Sequence, residues 1–166
     1  MESGGCGTLV FQDDNYGLVL TCKHVIEGEQ SMVCIFPSGL RMAGKVMVTD
    51  KFDNDLAAVQ IAANRQLVPC PLAAQGPKQM DTAYKIGYPE PRFQMARGSG
   101  KVWFTGNDMY LSTEAKGGDS GGGVFNEAGE LIGVLNSRIT KNVTLPDVGL
   151  LTRGTAMCSA YKPTNE

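Results

Sequence analysis

The segment GGDSGGGVFNEAGELIGV, from Gly117 to Val134, places one serine between an aspartate and three glycines, directly before a hairpin pattern. Glycine, serine and aspartate all suit turns, so an ordinary surface loop is one interpretation. The other is a nucleophilic serine on a turn whose glycines let backbone N–H groups point at a single site. The rest of the chain decides between the two.

The composition of the 166 residues excludes two classes of partner. The 15 basic and 17 acidic residues give a formal net charge of −2 and are mixed along the chain, without the basic runs that bind phosphates. The longest apolar stretches are far shorter than the roughly 18 to 20 residues that span a bilayer. The sequence therefore predicts neither a nucleic-acid partner nor a membrane partner.

The cysteines are odd in number, widely spaced and without a C-x-x-C pair. They are Cys6, Cys22, Cys34, Cys70 and Cys158. This usage favours free thiols in a reducing compartment over a disulfide set, and with one histidine it predicts no zinc site and no cofactor. The opening MESGGCGTLV has no basic segment followed by an apolar one, which predicts no secretory signal. We therefore expect a cytoplasmic or host-cell cytoplasmic protein, and a monomer.

Short runs rich in β-branched and aromatic residues recur between turn signals and predict about eleven strands, with one turn of helix near residues 156–161. The segment VPCPLAAQGPKQM, residues 68–80, interrupts this pattern with prolines and a glycine. It divides the chain into residues 1–72 and 80–166. Because closure leaves no long unpaired edges, we expect an all-β fold in which each half forms a barrel.

Three polar residues, His24, Asp55 and Ser120, indicate a function only when they are considered as a set. The only histidine, His24, lies in TCKHV, and Asp55 directly precedes the apolar run LAAV. A serine hydroxyl needs an imidazole to accept its proton, and the imidazole needs a carboxylate to orient it. Taken singly, each residue also has a structural interpretation, and Asp53 is an alternative carboxylate. The order His24, Asp55, Ser120 predicts a nucleophilic site shared by the two halves.

The segments TCKHV, DLAAV and GGDSGGGV resemble, in this order, the signature segments of the trypsin/chymotrypsin-like serine peptidases. GCGTLV, GELIGVLNS and DVGLLTR are similar to further strands of the bacterial heat-shock and viral polyprotein-processing members. The resemblance runs from residue 5 to about residue 153. It implies two six-stranded antiparallel β-barrels with the active site in the cleft between them, and a polypeptide substrate.

The resemblance also assigns roles to residues. It implies that Ser120 attacks the scissile carbonyl, that His24 is general base and then general acid, and that Asp55 orients His24. The family's aspartate directly precedes Leu-Ala, which selects Asp55 over Asp53. The backbone N–H groups of Gly118 and Ser120 would form the oxyanion hole.

A specificity pocket follows from the same resemblance, with Glu114 at its floor and Arg138 at its mouth. Its expected residues are Glu114, Ala115, Asn136, Ser137, Arg138 and Gly149. A carboxylate at the floor favours lysine or arginine before the scissile bond. Arg138 would instead neutralise Glu114 or bind an acidic residue of the substrate. Cleavage after an acidic residue therefore stays an alternative.

Several departures from the family pattern limit the resemblance. Val25 stands where secreted members have a disulfide cysteine, and Cys22 is expected to point into the core. Asp119 is present, but the chain shows no hydrophobic N-terminal segment of the kind that pairs with this aspartate in digestive members. Endopeptidase is the leading function; a catalytically inactive peptide-binding barrel and a non-peptidase acyl hydrolase are the alternatives.

Overall fold

The computed structural model describes residues 5–47, 56–89, 94–105, 108–139, 142–145, 149–151 and 155–160. These residues form thirteen β-strands and a single four-residue helix, α1 (Lys23–Ile26), which follows the second strand. The strands in chain order are β1 (Thr8–Gln12), β2 (Tyr16–Cys22), β3 (Ser31–Ile35), β4 (Arg41–Met47), β5 (Leu56–Ala62), β6 (Thr82–Gly87), β7 (Ala96–Thr105), β8 (Asp108–Glu114), β9 (Gly123–Phe125), β10 (Leu131–Arg138), β11 (Val143–Leu145), β12 (Gly149–Leu151) and β13 (Thr155–Ala160).

The five strands of the N-terminal half form an antiparallel sheet in the order β1-β2-β5-β4-β3. Its centre is the pairing of β2 with β5, which runs from Tyr16 opposite Ala62 to Cys22 opposite Leu56. Most of the buried apolar residues of these strands pack into one cluster, from Leu9 of β1 to Ile61 of β5. The expected six-stranded closed barrel is not what the described residues form here: their sheet has five strands and is open.

The C-terminal half contains a closed barrel in the order β10-β13-β8-β7-β6-β9, as the sequence predicted for this half. β13 completes it by pairing with both β10 and β8. The predicted turn of helix near residues 156–161 is therefore wrong. In β13, Ala156 and Cys158 are buried while Met157 is half-buried, which is the two-residue period of a strand. β11 and β12 form a separate two-stranded sheet.

The connection between sheet and barrel is hydrogen-bonded to both. The Cys70 N–H donates to the Leu9 carbonyl at 2.8 Å, and the Leu131 N–H donates to the Pro71 carbonyl at 2.9 Å. A buried apolar cluster joins Leu20 and Cys22 of β2 to residues of β10. The end of β2 is therefore packed against the barrel, just before the histidine.

The part of the chain that the structure describes has no helix of the length and apolar character needed to cross a membrane.

Candidate active site

His24 lies in α1, directly after β2. Cys22 and Ile26 on either side of it are buried and anchor the helix, while His24 itself is exposed. The Sγ atom of Cys22 lies 3.5 Å from Nδ1 of His24. The expected inward direction of Cys22 is confirmed, and it leaves the imidazole at the surface of the N-terminal half.

The two carboxylate candidates, Asp55 and Asp53, lie outside the described residues. What the structure does describe is the strand that follows them. β5 begins at Leu56, and the ladder partner of Leu56 is Cys22, the residue that caps α1. The start of β5 is thus adjacent to the start of the helix that carries His24.

Ser120 lies in a turn between β8 and β9 whose main chain is fixed on both sides. The Gly121 N–H donates to the Leu135 carbonyl at 2.6 Å, and the Leu135 N–H donates to the Gly122 carbonyl at 2.8 Å. The Gly122 N–H donates to the Asp119 carbonyl at 3.0 Å. β10 therefore holds the residues that follow Ser120.

The donors left over in this turn are the ones that an oxyanion hole requires. Gly118 has a φ of +90°, which L side chains rarely adopt. Among the described residues, no acceptor is found for the N–H groups of Gly118 and Ser120. The Asp119 carbonyl bonds to Gly122, and in a trans peptide the Ser120 N–H points the opposite way. The turn can therefore offer two N–H groups to an external anion.

The segment before β1 ties this turn to the N-terminal half. The Cys6 N–H donates to the Ser120 carbonyl at 2.7 Å, and the Thr21 hydroxyl donates to the Cys6 carbonyl at 2.7 Å. The Cys6 thiol donates to the Gly118 carbonyl at 3.1 Å. Burial raises the pKa of this thiol to about 11, outweighing the opposing effect of the Tyr88 backbone N–H. Cys6 thus stays a neutral donor at ordinary pH.

Gly5 shows how closely the histidine helix and the serine turn approach each other. A Cβ atom added at Gly5 would lie 2.6 Å from Cγ2 of Val25 and 2.8 Å from the carbonyl oxygen of Ser120. Val25 is the neighbour of His24 in α1, so both elements contact the same backbone position. The structure thereby brings together two of the three predicted catalytic segments.

Two of the expected pocket residues, Glu114 and Arg138, lie on the strands that flank β13. Glu114, exposed at the end of β8, is opposite Thr155, and Arg138, at the end of β10, is opposite Ala156. With strands about 4.8 Å apart, their backbones flank the same end of β13 at a distance of about 10 Å. This register is compatible with a pocket between them.

The other expected pocket residues differ in their burial and in the sheet to which they belong. Ala115 is buried, Asn136 is half-buried, and Ser137 is exposed with its hydroxyl 3.0 Å from the Asn136 amide oxygen. Gly149 begins β12, in the separate two-stranded sheet. The structure therefore brings Asn136 and Ser137 together on β10 but places Gly149 in another sheet.

Two residues at this site were not found by sequence reasoning. Cys6 anchors the serine turn, as described above. Lys85 of β6 is the second, since its Nζ atom lies 3.0 Å from Oδ2 of the buried Asp119. The only sequence signal for Lys85 is that a lysine stands at an inward-facing position of the alternating strand TAYKIG.

Comparisons with known proteins agree with this arrangement. Among solved structures, a serine endoprotease from Yersinia pestis superposes with a TM-score of 0.73 at 24% identity, over 94% of this chain and 53% of that one. A human pathogenic astrovirus serine protease superposes with a TM-score of 0.66 at 16% identity, over 96% of this chain and 83% of that one. At these identities the similarity shows a shared fold.

Sequence comparisons identify relatives among curated proteins. HhoA of Synechocystis sp. is 28% identical over 149 residues, which cover 79% of this chain and 36% of HhoA. The serine endoprotease DegS of Escherichia coli is 30% identical over 131 residues, which cover 73% of this chain and 37% of DegS. The chain thus spans little more than a third of the length of these relatives. The family model for the trypsin-like peptidase domain matches residues 5–134. From the fold, the serine turn and this match, we conclude that the chain belongs to the trypsin-like serine peptidase family.

Proposed function

We propose that this chain is a serine endopeptidase that cleaves polypeptides through an acyl-enzyme intermediate on Ser120. In this proposal, residues 1–72 and 80–166 are two barrel-type halves, and the active site lies in the cleft between them. The observation that carries the proposal is the serine turn. Its main chain is bound to β10 and to Cys6, while the N–H groups of Gly118 and Ser120 have no acceptor among the described residues.

The proposed chemistry assigns one role to each of the three predicted residues. His24 accepts the hydroxyl proton as Ser120 attacks the substrate carbonyl, and then gives this proton to the leaving amine. Asp55 holds the imidazole in the tautomer that can accept the proton. A water molecule then hydrolyses the acyl-enzyme by the same route in reverse. Acidification should stop turnover, because a protonated imidazole cannot act as a base.

The oxyanion hole supplies the electrostatic part of catalysis. The substrate carbonyl oxygen becomes negatively charged when Ser120 attacks, and the N–H groups of Gly118 and Ser120 would donate to it. Because the turn is already fixed by the Gly121 and Gly122 hydrogen bonds, these donors need little reorganisation during the reaction. None of these steps requires a metal ion, so we expect activity to survive EDTA.

A covalent serine probe tests the proposed function. We expect a fluorophosphonate to label the wild-type chain and a Ser120→Ala or His24→Ala variant to lose labelling by at least about a thousandfold, because the residues of a triad act as a unit. Ser38→Ala is a matched control, since Ser38 is an exposed serine in a turn of the N-terminal half. Asp55→Asn and Asp53→Asn should be compared, and the more severe loss identifies the orienting carboxylate. Labelling that survives in Ser120→Ala would reject the proposal.

We further propose that the enzyme cleaves after lysine or arginine. Glu114 is exposed at the end of β8, where its carboxylate is open to a basic side chain of the substrate. Digestion of a peptide library, read by mass spectrometry, should show cleavage after basic residues. Glu114→Ala should lower kcat/KM for these sites by about tenfold or more and spare small residues. Cleavage confined to acidic sites and weakened by Arg138→Ala would instead assign the pocket to acidic substrates.

A further inference from the structure

Lys85 occupies an unusual position for a lysine. In β6, half-buried and buried residues alternate, and Lys85 takes a buried position between Ala83 and Gly87. Lysine is seldom buried unless it is paired, and here Nζ lies 3.0 Å from Oδ2 of Asp119, whose side chain is also buried. A buried ion pair is rarely needed for stability alone, since apolar residues of similar size generally serve as well. This pair therefore calls for another explanation.

The barrel is shaped to accommodate both charged groups. A Cβ atom at Gly87 would collide with Oδ1 of Asp119, so only glycine leaves room for the carboxylate. Gly98 lies opposite Lys85 on β7, and a Cβ there would lie 3.2 Å from Cε of Lys85. Two strands thus omit a side chain where the pair packs.

Asp119 is the residue that sets the shape of the serine turn. Its Oδ2 atom accepts the Lys116 N–H at 2.9 Å as well as the Lys85 ammonium. Its own N–H donates to the Lys116 carbonyl at 3.1 Å, and its carbonyl accepts the Gly122 N–H. The Ser120 N–H belongs to the same peptide unit as that carbonyl. A displacement of Asp119 would therefore move an oxyanion-hole donor.

We infer that Lys85 is a positioning residue for the oxyanion hole. Its ammonium neutralises the Asp119 carboxylate inside the barrel and so holds the Gly118–Ser120 turn in the form that receives the substrate oxygen. The inference rests on the proposed peptidase function and adds to it the cation on which the turn depends.

The test replaces the charge and keeps the length of the side chain. In Lys85→Met, Asp119 is left as a buried charge without a counter-ion, and it should turn away and distort the turn. We expect the rate of fluorophosphonate labelling to fall by about a hundredfold, as on loss of an oxyanion donor. The dissociation constant of a non-cleavable peptide should stay within about threefold, because a neutral carbonyl gains much less from these donors than a developing oxyanion does. Lys101→Met is the control, since Lys101 is an exposed lysine on β7 that bonds to Thr82.

A second-site variant separates positioning from general stabilisation. Lys85→Met combined with Asp119→Asn removes the uncompensated charge, and we expect it to be labelled at least about tenfold faster than Lys85→Met. If Lys85→Met does not fold, Gly87→Ala tests the same point, because its Cβ displaces Asp119 while both charges remain. This variant should slow labelling by at least about tenfold.

The outcomes that overturn the inference are distinct from those that overturn the function. A wild-type chain that no serine probe labels would reject the peptidase proposal and this inference together. A labelled wild type with an unchanged rate in Lys85→Met, or in Gly87→Ala, would reject the inference alone. So would a double variant that is slower than Lys85→Met, or a peptide affinity that falls in parallel with the labelling rate.

Discussion

The two halves of the molecule bury their cores to different degrees. In the closed barrel, Val102, Leu111 and Val124 have no exposed surface. In the open N-terminal sheet, the buried residues of the core cluster range from 2% exposed at Ile61 to 9% at Val46, against 0 to 5% in the cluster of the barrel. The same kind of strand therefore gives a tighter core where the sheet closes on itself, because closure covers both edges and the whole inner face.

In the proposed mechanism, the two halves contribute different parts of the site, and this difference in burial would then bear on catalysis. The serine turn lies between β8 and β9 of the barrel, and β10 of the same barrel holds it. His24 comes from the open sheet. Preorganised donors are most effective when their frame is rigid. The tighter half thus carries the part of the site that depends most on rigidity.

Truncation of matched leucines tests this comparison and should have the largest effect. Leu111→Ala, in the barrel, should lower the free energy of unfolding by about 4 kcal/mol, because hydrogen-bonded strands on all sides prevent collapse of the cavity. Leu9→Ala, in the open sheet, should cost about 2 to 3 kcal/mol, because its neighbours can relax toward solvent. Urea unfolding of both variants gives the two values. Equal costs would show that closure does not stiffen the core.

The strands were largely predictable from the sequence, and the exceptions have a physical reason. β2 and β5 combine apolar runs with turn signals at both ends, and the structure has both strands. β13 was missed because TAMCSA consists mostly of small residues with weak local preference. Its pairing with β8 and β10 makes it a strand, and that pairing is not encoded locally. β11 was missed as well, and it is only three residues long.

The candidate site was predictable from the sequence only where a local motif marks its residues. The chemistry that a nucleophilic serine requires and the order of the three motifs led to the expectation that His24 and Ser120 share one site, and their elements do meet at Gly5. Lys85 and Cys6 were missed, because their partners Asp119 and Gly118 are 34 and 112 residues away. Contacts at that separation are set by strand order in the barrel and by docking of the first segment. Neither leaves a local pattern.

The smallest expected effect concerns buried thiols. It compares the two halves by the pH dependence of the free energy of unfolding. Burial raises the pKa of Cys158 in the barrel from 9.0 to about 12, with Lys85 opposing the shift. Burial also raises the pKa of Cys34 in the open sheet, which remains half-buried. Between pH 9 and 12 the unfolded chain releases the Cys158 proton while the folded barrel retains it. The unfolded state then binds fewer protons, so stability falls as pH rises.

The stability due to Cys158 is thus fully present below pH 9 and is lost progressively above it, which amounts to at most about 2 kcal/mol at pH 10.5, the upper limit of the measurement. Other groups titrate in this range, so the measurement is the difference between variant and wild type. Urea unfolding at pH 8, 9, 10 and 10.5 should show that the stability of Cys158→Ala declines less steeply than that of the wild type. Cys34→Ala should change the slope less, because the open sheet leaves Cys34 partly solvated. Parallel curves for the wild type and Cys158→Ala would mean that water reaches the barrel interior. The two halves would then differ in the closure of their sheets but not in the solvation of their cores.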